Sequence, residues 1–477
     1  MALRIYNSLS NQKEEFKPID PPHVKMYVCG PTVYDEPHMG HVRSAYVFEI
    51  IRNYLKYSGY KVIMVRNVTD VDDKIIQKAY EANPMNLIEE TKNISSKYFD
   101  LYKDELSTFN LECPDREPFA TQNIEEMIQL IKTLIKKCFA YAVGGDVYFE
   151  VNKFLDYGKL SKQKIDQMLE GVRKDTNENK KNPLDFALWK NAKEGEPSWP
   201  SPWGMGRPGW HIECSAMSIK YLGETFDIHG GGLDLKFPHH ENEIAQSEAA
   251  TGKPFAKYWI HHGMITRDGH KMSKSFHNYI MYRELPLDRN NRAEQFKFLL
   301  LGTHYAAPLD YTEERLKMEV QNWRRFKNFF DFVKQIDGDI SPAVDSNIKK
   351  FKQAFTDAMD DDFNTPLALT VMHEMLHYAN KSKDPAIMLE IAKLLKDLSR
   401  QIFGLFLDKQ EELVDISTAV EKECQKIRAE EAIRNRKTAK EAKDYQTADL
   451  IRKKLLDEYQ IELIDLKGGK TIWREKL

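Results

Sequence analysis

Cysteine is scarce in this chain. Five thiols in 477 residues (Cys29, Cys113, Cys138, Cys214 and Cys424) form neither a dense nor an even set. That excludes a disulfide framework and points to a reducing compartment. Long apolar runs are missing as well: no stretch approaches the ~20 residues of a bilayer span, so no membrane partner is expected. Met1–Asp20 mixes Arg4, Lys13, Glu14 and Glu15 with isolated apolar positions, which is not the apolar core of a secretory leader. These absences predict a cytoplasmic protein. Excess charge is also lacking. The 70 Lys and Arg against 73 Asp and Glu leave a formal charge of −3. A globally basic nucleic-acid coat is excluded, and any polyanion must meet a local basic patch. What is present is core material, 42% hydrophobic and 11% aromatic residues, in a length that suits about three domains.

Val24, Met26 and Val28 alternate with Lys25, Tyr27 and Cys29, which predicts a strand ending at Cys29-Gly30. Asp35-Glu36-Pro37 leads into a helix opening near His38, with Ala45, Phe48, Ile51 and Leu55 at helical spacing. Val62-Ile63-Met64-Val65 reads as a second strand, buried on both faces. Strand, helix, strand predicts a parallel sheet that binds ligands beyond its carboxyl edge, where Cys29 lies. From Arg116 to Trp199 the texture is that of an insertion, with a strand over 146–151 and a mobile polar loop at 174–181. Strand patterns return at 225–228 and 259–266. Beyond Tyr311 the chain is helical, and from Ala429 a charged helix leads into a hairpin around Gly468-Gly469. Cys138 and Cys424 sit in helix-like surroundings and read as packed residues, and Cys113 as a loop residue without a partner.

Three constellations carry chemistry. His38-Met39-Gly40-His41 puts two imidazoles on the first turn of a helix, whose free N–H groups favour phosphate, while Gly40 permits close approach. His270-Lys271-Met272-Ser273-Lys274-Ser275 offers two lysines that can clamp a polyphosphate. Taken singly, the first reads more readily as a structural histidine pair and the second as a solvated loop. The third set is dispersed: Cys29 at the strand end, Cys214, and His239 with Glu243 four residues apart after Pro238. Two sulfurs, a nitrogen and an oxygen suit zinc, with His240 as an alternative to His239.

Together His38–His41 and Lys271–Ser275, about 230 residues apart, resemble the two signatures of class I aminoacyl-tRNA synthetases. Tyr27–Asp35, Gly209–Ser215 and Phe237–Glu243 resemble the cysteinyl-tRNA synthetase family within that class. The resemblance implies an α/β fold: a Rossmann-like parallel-sheet catalytic domain with an insertion, then an α-helical bundle and a small C-terminal α+β module. The expected segments are 1–115 and 201–310 for the two catalytic halves, 116–200 for the insertion, 311–428 for the bundle and 429–477 for the anticodon module.

It further implies ATP-dependent activation of L-cysteine, with Mg2+ accompanying ATP, and transfer to tRNA(Cys) by a monomer. His38, His41, Lys271 and Lys274 would act on the phosphates, with Gly40 beside the nucleotide. Cys29, Cys214, His239 and Glu243 would hold one Zn2+ that bonds the substrate thiol. Thr69, Trp210 and His229 would line the amino-acid pocket, and Trp473 with Arg474 would hold anticodon bases. In Asp227–Asp234 three glycines permit close backbone approach to a nucleotide. A cysteine ligase acting on a small amine would resemble only the catalytic half.

Overall fold

The computed structural model of the chain describes residues 2–163, 179–272, 280–288, 290–336, 340–343, 345–408, 416–466 and 471–475. The chain divides into two compact units, Ala2–Leu285 with Tyr305–Asp310, and Pro286–His304 with Tyr311–Leu477.

The first unit opens with a hairpin, β1 (Arg4–Asn7) and β2 (Gln12–Glu15), followed by β3 (His23–Val28). Helix α1 (Met39–Tyr57) crosses to β4 (Lys61–Arg66), and the two strands pair in parallel with Val24 opposite Val62 and Val28 opposite Arg66. Helices α2 (Asp73–Ala82), α3 (Leu87–Thr108) and α4 (Ile124–Lys136) come next. An antiparallel sheet then forms from β5 (Ala140–Val143), β6 (Asp146–Phe149), β7 (Phe186–Asn191), β8 (Trp199–Ser201) and β9 (Gly204–Pro208), in the order β5-β6-β7-β9-β8. Helix α5 (Trp210–Leu222), β10 (Phe226–Gly232), α6 (Glu241–Thr251) and β11 (Ala256–His262) complete the central layer. Its strand order is β11-β10-β3-β4, all parallel. A Cβ on Gly230 would lie 2.2 Å from the Phe48 ring, so the glycine lets α1 settle directly on β10.

Phe149, Phe186, Leu188 and Trp189 of the antiparallel sheet share one apolar cluster with Ile212, Cys214, Phe226 and Trp259. The region expected as an insertion is therefore packed on the same core as the parallel sheet. Its expected loop at 174–181 lies largely outside the described residues. The second expected strand needs correcting. β4 is an edge strand and Ile63 is 44% exposed, so the face it shares with the fully buried Val65 is covered only at the strand's carboxyl end. The pattern at 259–266 is two strands, β11 and β12 (Ile265–Arg267), the latter turning into β13 (His270–Lys271). Cys138 is also corrected: it is exposed, at φ 61° in the turn after α4. Cys113 is exposed too, and the Lys103 ammonium lies 3.2 Å from its sulfur.

In the second unit α7 (Arg292–Leu301), α8 (Glu313–Val333), α9 (Ser346–Asp360), α10 (Thr365–Ser382) and α11 (Pro385–Phe403) form the expected bundle. Asp345, Asn364 and Asp384 cap their helices through side-chain oxygens, and Pro366 and Pro385 sit in first turns where no N–H is missed. Helix α12 (Ile416–Glu441) begins earlier than Ala429, then α13 (Tyr445–Tyr459) leads into an antiparallel pair, Ile461–Asp465 with Thr471–Glu475. Among the described residues no helix is long and apolar enough to cross a membrane.

Candidate active site and metal centre

Four parallel strands end on one edge, and a cleft of about 630 Å³ opens there. Its wall takes Cys29 and Gly30 after β3, Arg66 at the end of β4, Gly232 at the end of β10 and His262 at the end of β11, together with His38, Gly40 and His41. This is where a doubly wound sheet places ligands, because strand ends leave a crevice that helices on the two faces cannot close.

Helix α1 begins with a capping box built from two histidines. The Gly40 amide donates to His38 Nδ1 at 3.0 Å, and the His38 amide donates to His41 Nδ1 at 3.1 Å. An Nδ1 that accepts carries no proton, so each neutral ring bears its hydrogen on Nε2. Burial brings His38 down to about 4; burial, aided by His38, brings His41 down to about 3. Both rings, 3.9 Å apart between centroids, are therefore neutral N–H donors at pH 7. A Cβ on Gly40 would meet the His38 ring at 2.8 Å. The space that glycine leaves is taken by the imidazole folding back over its own helix end.

Deeper in, Cys29 Sγ lies 3.8 Å from Cys214 Sγ on α5 and 3.5 Å from Glu243 Oε1 on α6. His239 Nε2 lies 3.0 Å from that same carboxylate oxygen. His239 belongs to a π-helical turn, Lys236–His240, that runs directly into α6. The four donor atoms fall within 4.8 Å of one another, and all four residues are buried. A second set, Cys29, His229, His240 and Glu243, converges within the same limit. In it His240 Nε2 approaches Cys29 Sγ at 3.4 Å, and His229 Nε2 approaches Glu243 Oε2 at 2.8 Å.

Partners decide the charges in this cluster. Burial raises the Cys29 thiol. For Cys214 burial acts upward, but hydrogen bonds from Cys29 and His239 outweigh it and bring the thiol down to about 6. Burial alone would make His239 neutral, yet Glu243 and Cys214 raise it to about 10. Glu243 is held well below the usual carboxylate range by His229 and His239 in spite of its burial. Two thiols, an imidazole and a carboxylate, converging and shielded from water, fit a thiophilic divalent ion such as zinc.

The other sequence candidates fall in different places. Trp210 lines the cleft and stacks on His239 at 4.2 Å between ring centroids. Thr69 and His229 are not on the cleft wall. Thr69 Oγ1 donates to Glu213 Oε2 at 2.8 Å, while His229 is fully buried and stacks on Trp259 at 4.3 Å. Lys271 lies on β13, its side chain outside the described residues, as is Lys274 altogether; Met272 between them reaches the cleft wall. Trp473 packs beside Leu463 and Ala429, and the Arg474 guanidinium is paired with Glu462 at 2.9 Å and donates to Asn380 at 3.1 Å.

Sequence reasoning missed Asn67, His211 and His261. Asn67 Oδ1 accepts the Gly30 amide at 2.9 Å and faces the Cys214 thiol at 3.7 Å, joining the two sulfur-bearing segments. His211 Nδ1 meets His239 Nδ1 at 2.9 Å, and His261 links His240 to Ser8 with 2.8 Å on each side. His211 sits within the motif quoted around Cys214; nothing in local spacing marks the other two.

The fold and cleft are those of a class I aminoacyl-tRNA synthetase. Residues 15–321 match the family model described as tRNA synthetases class I (C) catalytic domain, and residues 354–407 match the DALR domain. Among solved structures, Mycobacterium tuberculosis methionyl-tRNA synthetase in complex with methionyl-adenylate superposes with a TM-score of 0.60 at 14% identity, over 80% of this chain and 92% of that one. A putative arginyl-tRNA synthetase from Campylobacter jejuni gives 0.53 at 12% identity, over 81% and 94%. These show the shared fold. The chain is 46% identical to the cysteine–tRNA ligase of Sulfurihydrogenibium sp. (strain YO3AOP1), with 100% of both sequences covered. It is 43% identical to that of Aquifex aeolicus (strain VF5), covering 100% of this chain and 99% of the relative. It belongs to the cysteine–tRNA ligase family.

Proposed function

We infer that this enzyme uses ATP, with Mg2+, to activate L-cysteine and then transfers the cysteinyl group to the 3′ end of tRNA(Cys). A carboxylate oxygen of cysteine attacks the α-phosphorus of ATP, the bond to the β-phosphate oxygen breaks, and pyrophosphate leaves with the electron pair. A terminal ribose hydroxyl of the tRNA then attacks the activated carbonyl, AMP departs, and the hydroxyl proton is released. Nothing in either step demands covalent catalysis by the protein. What is required is alignment and fixed donors aimed at phosphate oxygens.

His38 and His41 suit that role because the capping box fixes both as Nε2–H donors before substrate arrives. A neutral donor also avoids the cost of burying a cation in the empty cleft. Lys271 and Lys274, by their place in the second signature, accompany the departing pyrophosphate as point charges.

Cys29, Cys214, His239 and Glu243 are the residues that would hold Zn2+, in preference to the set with His229 and His240, because two sulfur donors are softer than one. When bound there, the ion favours a thiolate over the alcohol oxygen of serine, a distinction that shape alone makes only ~100-fold. His229 steadies Glu243, Thr69 steadies Glu213 one residue before Cys214, and Trp210 closes over His239. A monomer suffices for this reading, and the scarcity of thiol pairs supports a cytoplasmic location. The hairpin bearing Trp473 and Arg474 is proposed as the anticodon reader. Arg474 would have to exchange Glu462 for RNA.

The convergence of four soft and hard donors beside the paired histidines carries this reading. Its test is cysteine-dependent exchange of pyrophosphate into ATP, with metal content measured alongside. The expected result is exchange with cysteine and not with serine, and a Cys214→Ser protein that folds, loses the metal and loses at least about a hundredfold of the rate. Wild-type rates in a metal-free Cys214→Ser protein would overturn the metal assignment.

A further inference from the structure

Arg66 is the last residue of β4 and lines the cleft, yet it is only 4% exposed. Its guanidinium has one acidic neighbour, Glu117, at a loose 3.4 Å, and that carboxylate is held more tightly by Lys103 at 2.9 Å. One negative charge thus faces two positive ones. Among the described residues the buried Nε of Arg66 has no hydrogen-bond partner. The guanidinium lies 5.6 Å from the centre of the Tyr102 ring, and Tyr102 in turn meets the edge of His41 at 6.3 Å.

Arg43, the other arginine of the cleft wall, makes a useful contrast. Its guanidinium donates to the carbonyls of Met264, Tyr305 and Ala307 at 2.8, 3.2 and 2.6 Å. Those bonds hold a loop in place. A buried guanidinium left one donor short and sharing its counter-charge is costly, and buried donors normally find partners. An unpartnered Nε is shared with Arg52 and Arg207, which pair closely with Glu112 and Asp73; what sets Arg66 apart is its loose, shared counter-charge together with its place on the cleft wall.

We propose that Arg66 is the residue that grips the α-carboxylate of the amino-acid substrate, orienting the attacking oxygen between the cysteine cluster and the paired histidines. The inference rests on the cysteine-activation reading above. The position favours the carboxylate. On one side the side-chain stem of Arg66 packs by Gly30, where a Cβ would lie 3.3 Å from its Cγ, and Gly30 adjoins Cys29. On the other side stand Tyr102 and His41. A substrate whose sulfur is held beside Cys29 turns its carboxylate, a short two-carbon reach away, towards that gap. The planar fork of arginine matches a carboxylate with two parallel N–H···O bonds, which a lysine cannot reproduce.

The experiment compares Arg66→Gln and Arg66→Lys with wild type in steady-state pyrophosphate exchange, using cysteamine, which keeps the thiol and amine and lacks the carboxylate, as competitive inhibitor. In Arg66→Gln the KM for cysteine is expected to rise about tenfold or more, with KM for ATP and the inhibition constant of cysteamine unchanged. Arg66→Lys keeps a cation opposite Glu117, so it falls between the two. Should Arg66→Gln fail to fold, Arg66→Lys carries the same comparison with a smaller shift. An unmoved KM for cysteine, or a cysteamine constant weakened in step with it, would overturn the assignment and leave Arg66 a structural partner of Glu117. Absence of cysteine-dependent exchange in wild type would instead remove the activation reading beneath it.

Discussion

A pair of histidines on the cleft wall and a single histidine in the cluster behind it behave in opposite ways. His38 and His41 face each other, and burial drives both towards the neutral form, down to about 4 against the pull of Asp234 and to about 3. His239, more deeply buried, is raised to about 10 by Glu243, 3.0 Å away, and by Cys214. The side chain is the same, and the deeper burial of His239 would by itself favour the neutral form all the more. What differs is a buried carboxylate with a thiol beside it, which turn the desolvated imidazole from a neutral donor into the partner of an anion or a metal ion. A neutral donor pair and a protonated imidazole thereby stand close together without any change of residue type.

The largest break in that comparison comes from the neutral pair. His41→Asn keeps a side-chain donor but loses the ring that accepts the His38 amide. It is expected to lower the exchange rate by about 10²–10³-fold, with zinc content and KM for cysteine unchanged. Metal analysis and steady-state kinetics on one preparation check both halves; loss of metal would show that the two sites are not independent. A smaller effect is expected at the charged site from His229→Gln, which removes the 2.8 Å bond to Glu243 Oε2 and leaves every residue of the preferred ligand set in place. Metal affinity should fall about 10–100-fold by competition with a chelator. No change would make His229 merely a neighbour that stacks on Trp259.

The smallest effect sharpens the argument away from either site. Glu105 is half-buried, with one carboxylate oxygen unpartnered among the described residues. Burial lifts it from 4.5 to about 7, against the pull of Arg283 and with a push from Glu36. The native state then keeps a proton that the unfolded chain has released, so this residue costs stability increasingly as pH rises from about 4.5 to about 7. Glu105→Gln should therefore melt above wild type at pH 8, by roughly 1–2 kcal/mol after solvent screening, and equal it at pH 4. Equal melting at both pH values would show that the carboxylate is well solvated.

Much of the site was legible because its chemistry is concentrated in short segments. Cys29 at a strand end, the histidine pair at a helix start and the Pro-His-His stretch before Glu243 each carry their meaning locally. The choice between His239 and His240 was not legible, since adjacent residues in a π-helical turn both reach inward, each towards Glu243. Val62–Val65 misled at one position, Ile63, for a related reason. An apolar run reports its own composition, and only the neighbouring strands say whether one face or two will be covered. Arg66 and Asn67 gave no signal, because the groups that define them, Glu117 and Tyr102 for one, Gly30 and Cys214 for the other, lie far along the chain.

The sequence by itself determined which atoms were available: soft sulfurs, paired imidazoles, a strand–helix–strand frame and a charge balance that leaves RNA recognition to local surfaces. Their protonation and their partners were decided by folding. Proton affinity and hydrogen bonding depend on what stands within a few ångströms and on whether water is excluded, and a linear order of residues fixes neither until distant segments meet at the ends of the four parallel strands.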